Sequence, residues 1–150
     1  MLFGTGLRRK EALSAEWSWI DWDRRSITVP AAVAKDREER EIGLGGRLYQ
    51  ELWARNQEEG YILPRWYPTT VTKAIRQHFK LCGFDIRLHD TRHTYASLIQ
   101  LEAGAMPAQA MQRTGHSNLA MLSHYTHTAF SEVLEDRLPF MKPDEEPTKH

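Results

Sequence analysis

A short segment near residue 90 carries an arginine and two histidines at the predicted start of a helix. Asp90 is a good N-cap residue, so the sequence predicts a helix over about residues 91–103, with His89 just before it and Arg92 in its first turn. Both side chains can then converge near the positive end of the helix, where an anion is stabilised. An arginine matches phosphate oxygens, and a histidine exchanges a proton near neutral pH. The segment indicates an anion site, and a capped helix start with exposed polar groups is the alternative.

A metal site is another explanation for the two histidines. His89 and His93 are four residues apart, like the zinc-binding histidines of a metalloprotease helix. That pattern has a glutamate directly after the first histidine as the general base, whereas this chain has Asp90, which is shorter and is predicted to cap the helix. The charge of Arg92 would also repel a bound cation. The sequence therefore favours a site without a metal.

Further cations and a tyrosine extend the pattern along the chain. Thr-Gly-Leu-Arg places Arg8 at the start of another predicted helix, and Lys35 lies in a connection between two predicted strands. His116 is followed nine residues later by Tyr125, for which packing is the alternative role, since the chain has five tyrosines. The candidate site residues are Arg8, Lys35, His89, Arg92, His116 and Tyr125.

The motifs that contain these residues resemble those of the tyrosine recombinases, also called phage integrases. The first motif, Thr-Gly-Leu-Arg with a glutamate three residues later, ends at Glu11. The second, His-x-x-Arg-His-Thr, begins at His89, and the third, Gly-His with a later Tyr-Thr-His, ends at His127. Each motif alone is weak, whereas three in order with this internal spacing are a strong signal. The resemblance covers residues 5 to about 138.

The resemblance implies a site-specific DNA recombinase or integrase. Such an enzyme cleaves and rejoins double-stranded DNA through a 3′-phosphotyrosyl intermediate, here on Tyr125, and uses neither a cofactor nor a metal. A noncatalytic DNA-binding or assembly remnant of an integrase is the alternative. The target DNA sequence cannot be read from these motifs, because base recognition depends on other contacts.

The resemblance also implies a role for each of the other candidates. Arg8 and Arg92 would neutralise the charge that develops on the phosphate in the transition state, and His116 would donate a hydrogen bond to a nonbridging oxygen. His89 would accept the phenol proton or orient the phosphate. Lys35 would protonate the departing 5′ oxygen, although a lysine inside the first motif is a less favoured candidate for that role.

The elements that must position these residues are mostly helices. Apolar spacing predicts helices over about residues 7–16, 46–58, 69–81, 91–103, 107–115, 118–124 and 130–138. Segments rich in Trp, Ile, Val and Thr predict three strands, Trp17–Asp23, Ser26–Val29 and Arg40–Leu44. The expected fold is therefore mainly α with a small three-stranded antiparallel sheet, an α+β class like the catalytic domain of a tyrosine recombinase.

Composition limits the setting of this domain. The 150 residues, 41% of them apolar, suffice for one core, and the single Cys82 favours a reducing compartment. No apolar run reaches the length of a membrane span, so a cytoplasmic location is expected. The 20 basic and 20 acidic side chains balance overall, but residues 61–128 hold seven basic and three acidic ones. This uneven distribution is a weak indication of an anionic partner.

The two ends of the chain carry further expectations. Residues 1–141 are expected to form the catalytic domain without the family's preceding helices, and residues 142–150 to form a disordered polar tail. Apolar residues recur at helical spacing between residues 130 and 140. The resemblance implies that this stripe docks onto a neighbouring subunit in a homo-oligomer, which would be a tetramer on DNA. The alternative is that the segment folds back onto the core of its own chain.

Overall fold

Helices and one small sheet make up the part of the chain that the computed structural model describes, which is residues 1–101, 104 and 106–115. The helices are α1 (Leu2–Thr5), α2 (Arg9–Leu13), α3 (Gly46–Trp53), α4 (Pro68–Leu81), α5 (Asp90–Leu101) and α6 (Pro107–Thr114). The strands are β1 (Ile20–Asp21), β2 (Ser26–Val29) and β3 (Arg40–Gly43), with a 3-10 helix over Trp17–Trp19 before β1. The predicted class, mainly α with a three-stranded antiparallel sheet, is confirmed. The helices predicted over 118–124 and 130–138 lie outside the described residues.

The sheet is antiparallel in the order β1-β2-β3, as predicted. Ile27 on the central strand lies opposite Ile20 on β1 and Ile42 on β3, and all three side chains are buried. Because alternate residues of a strand share a face, Arg40 lies on the same face as Ile42 and is buried with it. The sheet therefore carries one arginine into the core.

Two predicted elements are shorter than expected because their backbone bonds to a later loop. The N–H of Trp17 donates to the carbonyl of Gly60 at 3.0 Å, so the first predicted strand is reduced to β1. The N–H of Ile62 donates to the carbonyl of Ala15 at 2.8 Å, and α2 ends at Leu13, before residue 16. Pairing with a segment distant in sequence has overridden the local pattern at both places.

Helices α4 and α5 begin within one residue of their predicted positions. Helix α4 has Pro68 at its first position, which suits a residue without an N–H, and it ends before Gly83, which has a left-handed conformation. Helix α5 begins one residue earlier than predicted, at Asp90, and that carboxylate accepts the preceding N–H of Arg87 at 2.7 Å. Helix α3 ends at Trp53, five residues before the predicted end, where a polar run follows.

Helix α5 fixes the position of the loop between α1 and α2. It contacts both α1 and α6, and its Tyr95 and Ile99 are fully buried. Gly6 has a φ of 62°, and a Cβ at that position would overlap the Cδ1 atom of Tyr95. Only glycine fits this close approach without a shift. The loop therefore lies directly on α5, and Arg8 follows it. No helix in the described ranges is long and apolar enough to cross a membrane.

Candidate active site

Arg8 stands at the start of α2, and its side chain is held by three acceptors from separate parts of the fold. Its Nη1 atom lies 3.1 Å from Glu11 and 3.7 Å from Asp36, and its Nη2 atom donates to the carbonyl of Gly115 at 2.7 Å. The Arg8 side chain is 24% exposed. This arginine is therefore fixed in direction while one side stays open to solvent.

The spacing of the first motif has a local explanation. Glu11 is the third residue of α2, and its carboxylate accepts the backbone N–H of Arg8 at 2.7 Å. A carboxylate at this position satisfies one N–H that the helix start leaves without an intrahelical acceptor. An arginine followed three residues later by a glutamate thus forms a self-capped helix start with the guanidinium beside it.

Glu11 is a buried carboxylate between two arginines. It is 1% exposed and also accepts the Nη2 atom of Arg40 at 2.5 Å. Burial raises the pKa of Glu11, but hydrogen bonds from Arg40 and Arg8 and the charge of Arg40 outweigh it, so the pKa lies below its usual value. Glu11 is therefore ionised at neutral pH.

Arg92 joins this group from the first turn of α5. It is 2% exposed, and its Nη1 atom donates to the carbonyl of Gly6 at 2.9 Å. Burial, followed by the positive charges of Arg8 and Arg40, lowers the pKa of Arg92 to about 10. The group remains charged at neutral pH, and its hydrogen bond to Gly6 holds it against the loop that precedes Arg8.

The structure brings Arg92 to the loop before Arg8, through the carbonyl of Gly6, whereas the side chains of Lys35 and His89 are exposed. Lys35 is in the connection between β2 and β3, next to Asp36, which contacts Arg8. The ring of His89 meets that of His93 edge to face, with 4.7 Å between the centroids. Loss of hydration and the charges of His93 and Arg92 lower the pKa of His89, which favours its neutral form at pH 7.

His116 and Tyr125 lie outside the described residues. The residue before His116 is Gly115, which ends α6 in a left-handed conformation with a φ of 60°. Its carbonyl is the group that Arg8 binds. The backbone that leads into the third motif is therefore attached to the arginine of the first motif.

Arg40 was not among the candidates from the sequence. It approaches Glu11 from β3, and its Nε atom donates to the carbonyl of Arg113 at 2.9 Å. The available signal was its alternation with Ile42 and Leu44, which places the three on one face of the predicted strand. Glu11 belonged to the first motif, and its burial was the feature that the spacing did not reveal.

The electrostatics of this group favour an anion. Three guanidinium groups, from Arg8, Arg40 and Arg92, face two carboxylates, from Glu11 and Asp36, so positive charge is in excess. A singly charged phosphate group would balance that excess. The described residues contain no group of three or more His, Cys, Asp or Glu side chains with the geometry of a metal site.

Comparison with known proteins places the chain in a family. The sequence profile of the phage integrase family matches residues 1–132. The tyrosine recombinase XerC of Corynebacterium glutamicum is 28% identical over 148 residues, which cover 90% of this chain and 47% of that protein. The integrase of Salmonella phage P22 is 25% identical over 149 residues, which cover 87% of this chain and 38% of that protein.

A solved structure shows the same fold. The XerA recombinase superposes with a TM-score of 0.67 at 21% identity, over 96% of this chain and 57% of that one. The chain therefore belongs to the phage integrase family, as its motifs predicted. It spans about half the length, or less, of the curated relatives it matches, 47% for XerC and 38% for the phage integrase.

Proposed function

We propose that this chain is the catalytic domain of a site-specific DNA recombinase that cleaves and rejoins DNA strands. The observation that carries the proposal is the convergence of Arg8 and Arg92, from motifs more than 80 residues apart in sequence, beside the carbonyl of Gly115 that leads into the third motif. Guanidinium groups that are held in a fixed direction stabilise the charge of a phosphoryl transition state without reorganising. Family membership supports the same chemistry.

In the proposed reaction, the phenol oxygen of Tyr125 attacks the phosphorus of a DNA phosphodiester. A bond forms between the tyrosine oxygen and phosphorus, and the bond from phosphorus to the 5′ oxygen breaks. His89 accepts the phenol proton, which its lowered pKa supports by favouring the neutral ring, and Lys35 donates a proton to the departing 5′ oxygen. His116 donates a hydrogen bond to a nonbridging oxygen.

The products of this step are a 3′-phosphotyrosyl bond and a free 5′ hydroxyl. Attack on that bond by the 5′ hydroxyl of another strand reverses the sequence and releases the tyrosine. Rejoining needs no external energy source, because the phosphotyrosyl bond retains the energy of the phosphodiester. The roles of Arg8 and Arg92 are the same in both directions.

Double-stranded DNA is the partner in this proposal, and the site acts within a homotetramer on DNA in the cytoplasm. The Tn1549 transposon integrase, solved in complex with a circular intermediate DNA, shares the fold with a TM-score of 0.58 at 21% identity, over 86% of this chain and 53% of that one. We assign residues 1–141 to the catalytic domain and residues 142–150 to a polar tail. The apolar stripe over residues 130–140, proposed to dock onto a neighbouring subunit, lies outside the described residues.

A pool of nicked duplexes with a randomised centre tests the proposal and requires no defined target sequence. A nick beside the cleavage site lets a short fragment diffuse away, so the covalent adduct accumulates. The wild-type chain is expected to give a protein–DNA adduct that survives denaturation, Tyr125→Phe to give none, and Tyr67→Phe to give the wild-type yield, because Tyr67 is 81% exposed before α4. Sequencing the trapped DNA would define the target.

The same experiment separates the alternative function. A wild-type chain that retains duplexes on a filter but gives no adduct would be a noncatalytic DNA-binding remnant. An adduct that persists in Tyr125→Phe would mean that another residue is the nucleophile. Either result would overturn the proposed mechanism.

A further inference from the structure

Arg40 is a buried cation on the sheet, and it makes contacts in two directions. Its Nη2 atom donates to Glu11 at 2.5 Å, and its Nε atom donates to the carbonyl of Arg113 at 2.9 Å. The residue is 4% exposed. Two of its three guanidinium nitrogens are therefore occupied by protein acceptors, and we expect any effect of this residue on the reaction to pass through these neighbours.

The first neighbour is Glu11, which connects Arg40 to Arg8. One carboxylate oxygen, Oε2, accepts both Arg40 and the backbone N–H of Arg8, while Oε1 accepts the Nη1 atom of Arg8. Without Arg40, the Oε2 atom keeps only the backbone donor, and the carboxylate is held less firmly. The guanidinium of Arg8 would then lose the fixed position of one of its three acceptors.

The second neighbour is the end of α6. Arg40 binds the carbonyl of Arg113, and Arg8 binds the carbonyl of Gly115, two residues later. The Nη1 atom of Arg40 has no hydrogen-bond partner among residues 1–101, 104 and 106–115. This atom lies close to Gly115, because a Cβ added to that glycine would be 3.5 Å from it. Two arginines therefore hold two carbonyls of the backbone that leads into the third motif.

We propose that Arg40 is a positioning residue for strand cleavage. It orients Arg8 through Glu11, and it sets the exit of α6, so that groups from the first and third motifs meet the same phosphate. This inference rests on the proposed function, because it assigns Arg40 a part in that same reaction. A purely structural ion pair would instead stabilise the fold and leave the reaction rate of the folded molecules unchanged.

Substitution of Arg40 distinguishes these roles. Arg40→Gln keeps a donor but loses the charge, and Arg40→Lys keeps the charge but cannot bind Glu11 and Arg113 with one planar group. We expect Arg40→Gln to lower the single-turnover cleavage rate at saturating DNA by about 10- to 100-fold, because small misplacements at a reacting centre cost this much. The affinity for DNA is expected to fall much less than the rate, since the Nε and Nη2 atoms of Arg40 bind Arg113 and Glu11 rather than a phosphate.

The lysine variant and a surface control complete the design. Arg40→Lys is expected to recover part of the rate, because an ammonium still attracts Glu11. Arg24 forms an exposed ion pair with Glu41 of β3, with 3.0 Å between Nη2 and Oε2. Arg24→Gln breaks this pair and is expected to behave like the wild type. Rates are normalised to the folded fraction measured by near-ultraviolet circular dichroism. A normalised Arg40→Gln rate equal to wild type would overturn the proposal, as would parallel losses of rate and DNA affinity.

A measurement on the free chain keeps the inference separate from the proposed function. The guanidinium Nε–H signal of Arg8 in a nitrogen-15 spectrum reports its direction and partners without DNA. Arg40→Lys and Arg40→Gln should both shift this signal, and Arg24→Gln should leave it in place. If the wild-type chain fails to cleave DNA while the Arg8 signal still depends on Arg40, the proposed function fails alone. An unchanged Arg8 signal in the folded lysine variant overturns the positioning role.

Discussion

Two carboxylates beside Arg8 differ in burial and are therefore expected to affect different properties of the protein. Glu11 is fully buried and binds two guanidinium groups, so its charge is part of the structure. The side chain of Asp36 is 24% exposed and lies 3.7 Å from Arg8, on the connection that also carries Lys35. The oxygens of a phosphate that approaches Arg8 would be repelled by the negative charge of Asp36. The first carboxylate is expected to govern stability, and the second to govern affinity for anions.

Replacing the buried carboxylate tests the first expectation. Glu11→Gln should lower the free energy of unfolding at pH 7 by about 3–5 kcal/mol, because two largely buried cations lose their counter-charge. The pKa of Glu11 is lower in the folded chain than in the unfolded chain, so this stabilisation is present above about pH 4.3 and is lost as the pH falls through the folded-state pKa. Urea unfolding at pH 7 and at about pH 3 should show the gap between variant and wild type closing at the lower pH.

A surface pair provides the control for this prediction. Glu41 forms an exposed ion pair with Arg24 at 3.0 Å, and Glu41→Gln should cost less than about 1 kcal/mol. If Glu11→Gln were as stable as Glu41→Gln at pH 7, the buried carboxylate would not be the centre of the arginine cluster.

Replacing the exposed carboxylate tests the second expectation. Asp36→Asn removes a negative charge beside Arg8 and should raise the affinity for duplex DNA by about threefold to tenfold at low salt, the size of one solvent-screened charge interaction at about 4 Å. Fluorescence anisotropy with a labelled duplex measures this effect at two salt concentrations. Glu38→Gln removes the same charge from an exposed position on the same connection and should change the affinity less. Equal gains in the two variants would mean that only net charge matters.

At the scale of elements, the contact of the α1–α2 loop with α5 decides whether the two arginines meet. Gly6 lies against Tyr95, and its carbonyl accepts Arg92, so one residue sets both the packing and the hydrogen bond. Arg8 follows two residues later on the same backbone. A displacement of this loop would separate the guanidinium groups even if both helices remained folded.

Gly6→Ala is expected to destabilise the fold through two separate effects. A Cβ would clash with the ring of Tyr95, and a φ of 62° is unfavourable for alanine. Gly60→Ala shares only the second effect, because its φ is 99° and no atom lies within 4 Å of the added Cβ. Gly6→Ala should therefore lower the free energy of unfolding by about 1–3 kcal/mol more than Gly60→Ala, as measured by urea unfolding. Equal losses would show that backbone strain alone is responsible.

Elements with a regular local pattern were predictable from the sequence. Helix α4 and strand β2 match their predicted ranges within one residue, since apolar periodicity reports packing along a single element. The four-residue helix α1 was not predicted, because so short a segment shows no period. Strand β1 was too long in the prediction, because the backbone before it bonds to Gly60, which lies far along the chain.

In the candidate site, too, residues within a local motif were predictable and residues held by long-range contacts were not. Arg8 and Arg92 were recognised because each lies at a helix start within a motif of fixed spacing. Arg40 was missed because its burial depends on Glu11, which is 29 residues away and on another element. No local period or motif encodes such a long-range ion pair. The assignments of His116 and Tyr125 stay predictions.

At the scale of the whole molecule, the distribution of charge matters more than its total. The 20 basic and 20 acidic side chains cancel, so general attraction to DNA is weak. On helix α4 the charges do not cancel locally, because Lys73, Arg76 and Lys80 are all exposed on it. It contacts α2, the helix that begins after Arg8, and Arg9 donates to Thr72 of α4 at 2.6 Å. The helix that carries these exposed cations therefore packs against the helix that begins beside Arg8.

Removing charge from α4 should weaken DNA binding more than removing the same charge elsewhere. The double variant Lys73→Gln/Arg76→Gln is expected to reduce the slope of log affinity against log salt concentration by about 1.8, if each cation neutralises one phosphate. Arg47→Gln/Arg55→Gln makes the same change in net charge with exposed arginines, one at the start of α3 and one just beyond its end, and should leave the slope near its wild-type value. Anisotropy titrations between about 50 and 200 mM salt span the range in which phosphate contacts dominate. Equal slopes for the two double variants would mean that DNA responds to net charge, and α4 would then have no special place in the interface.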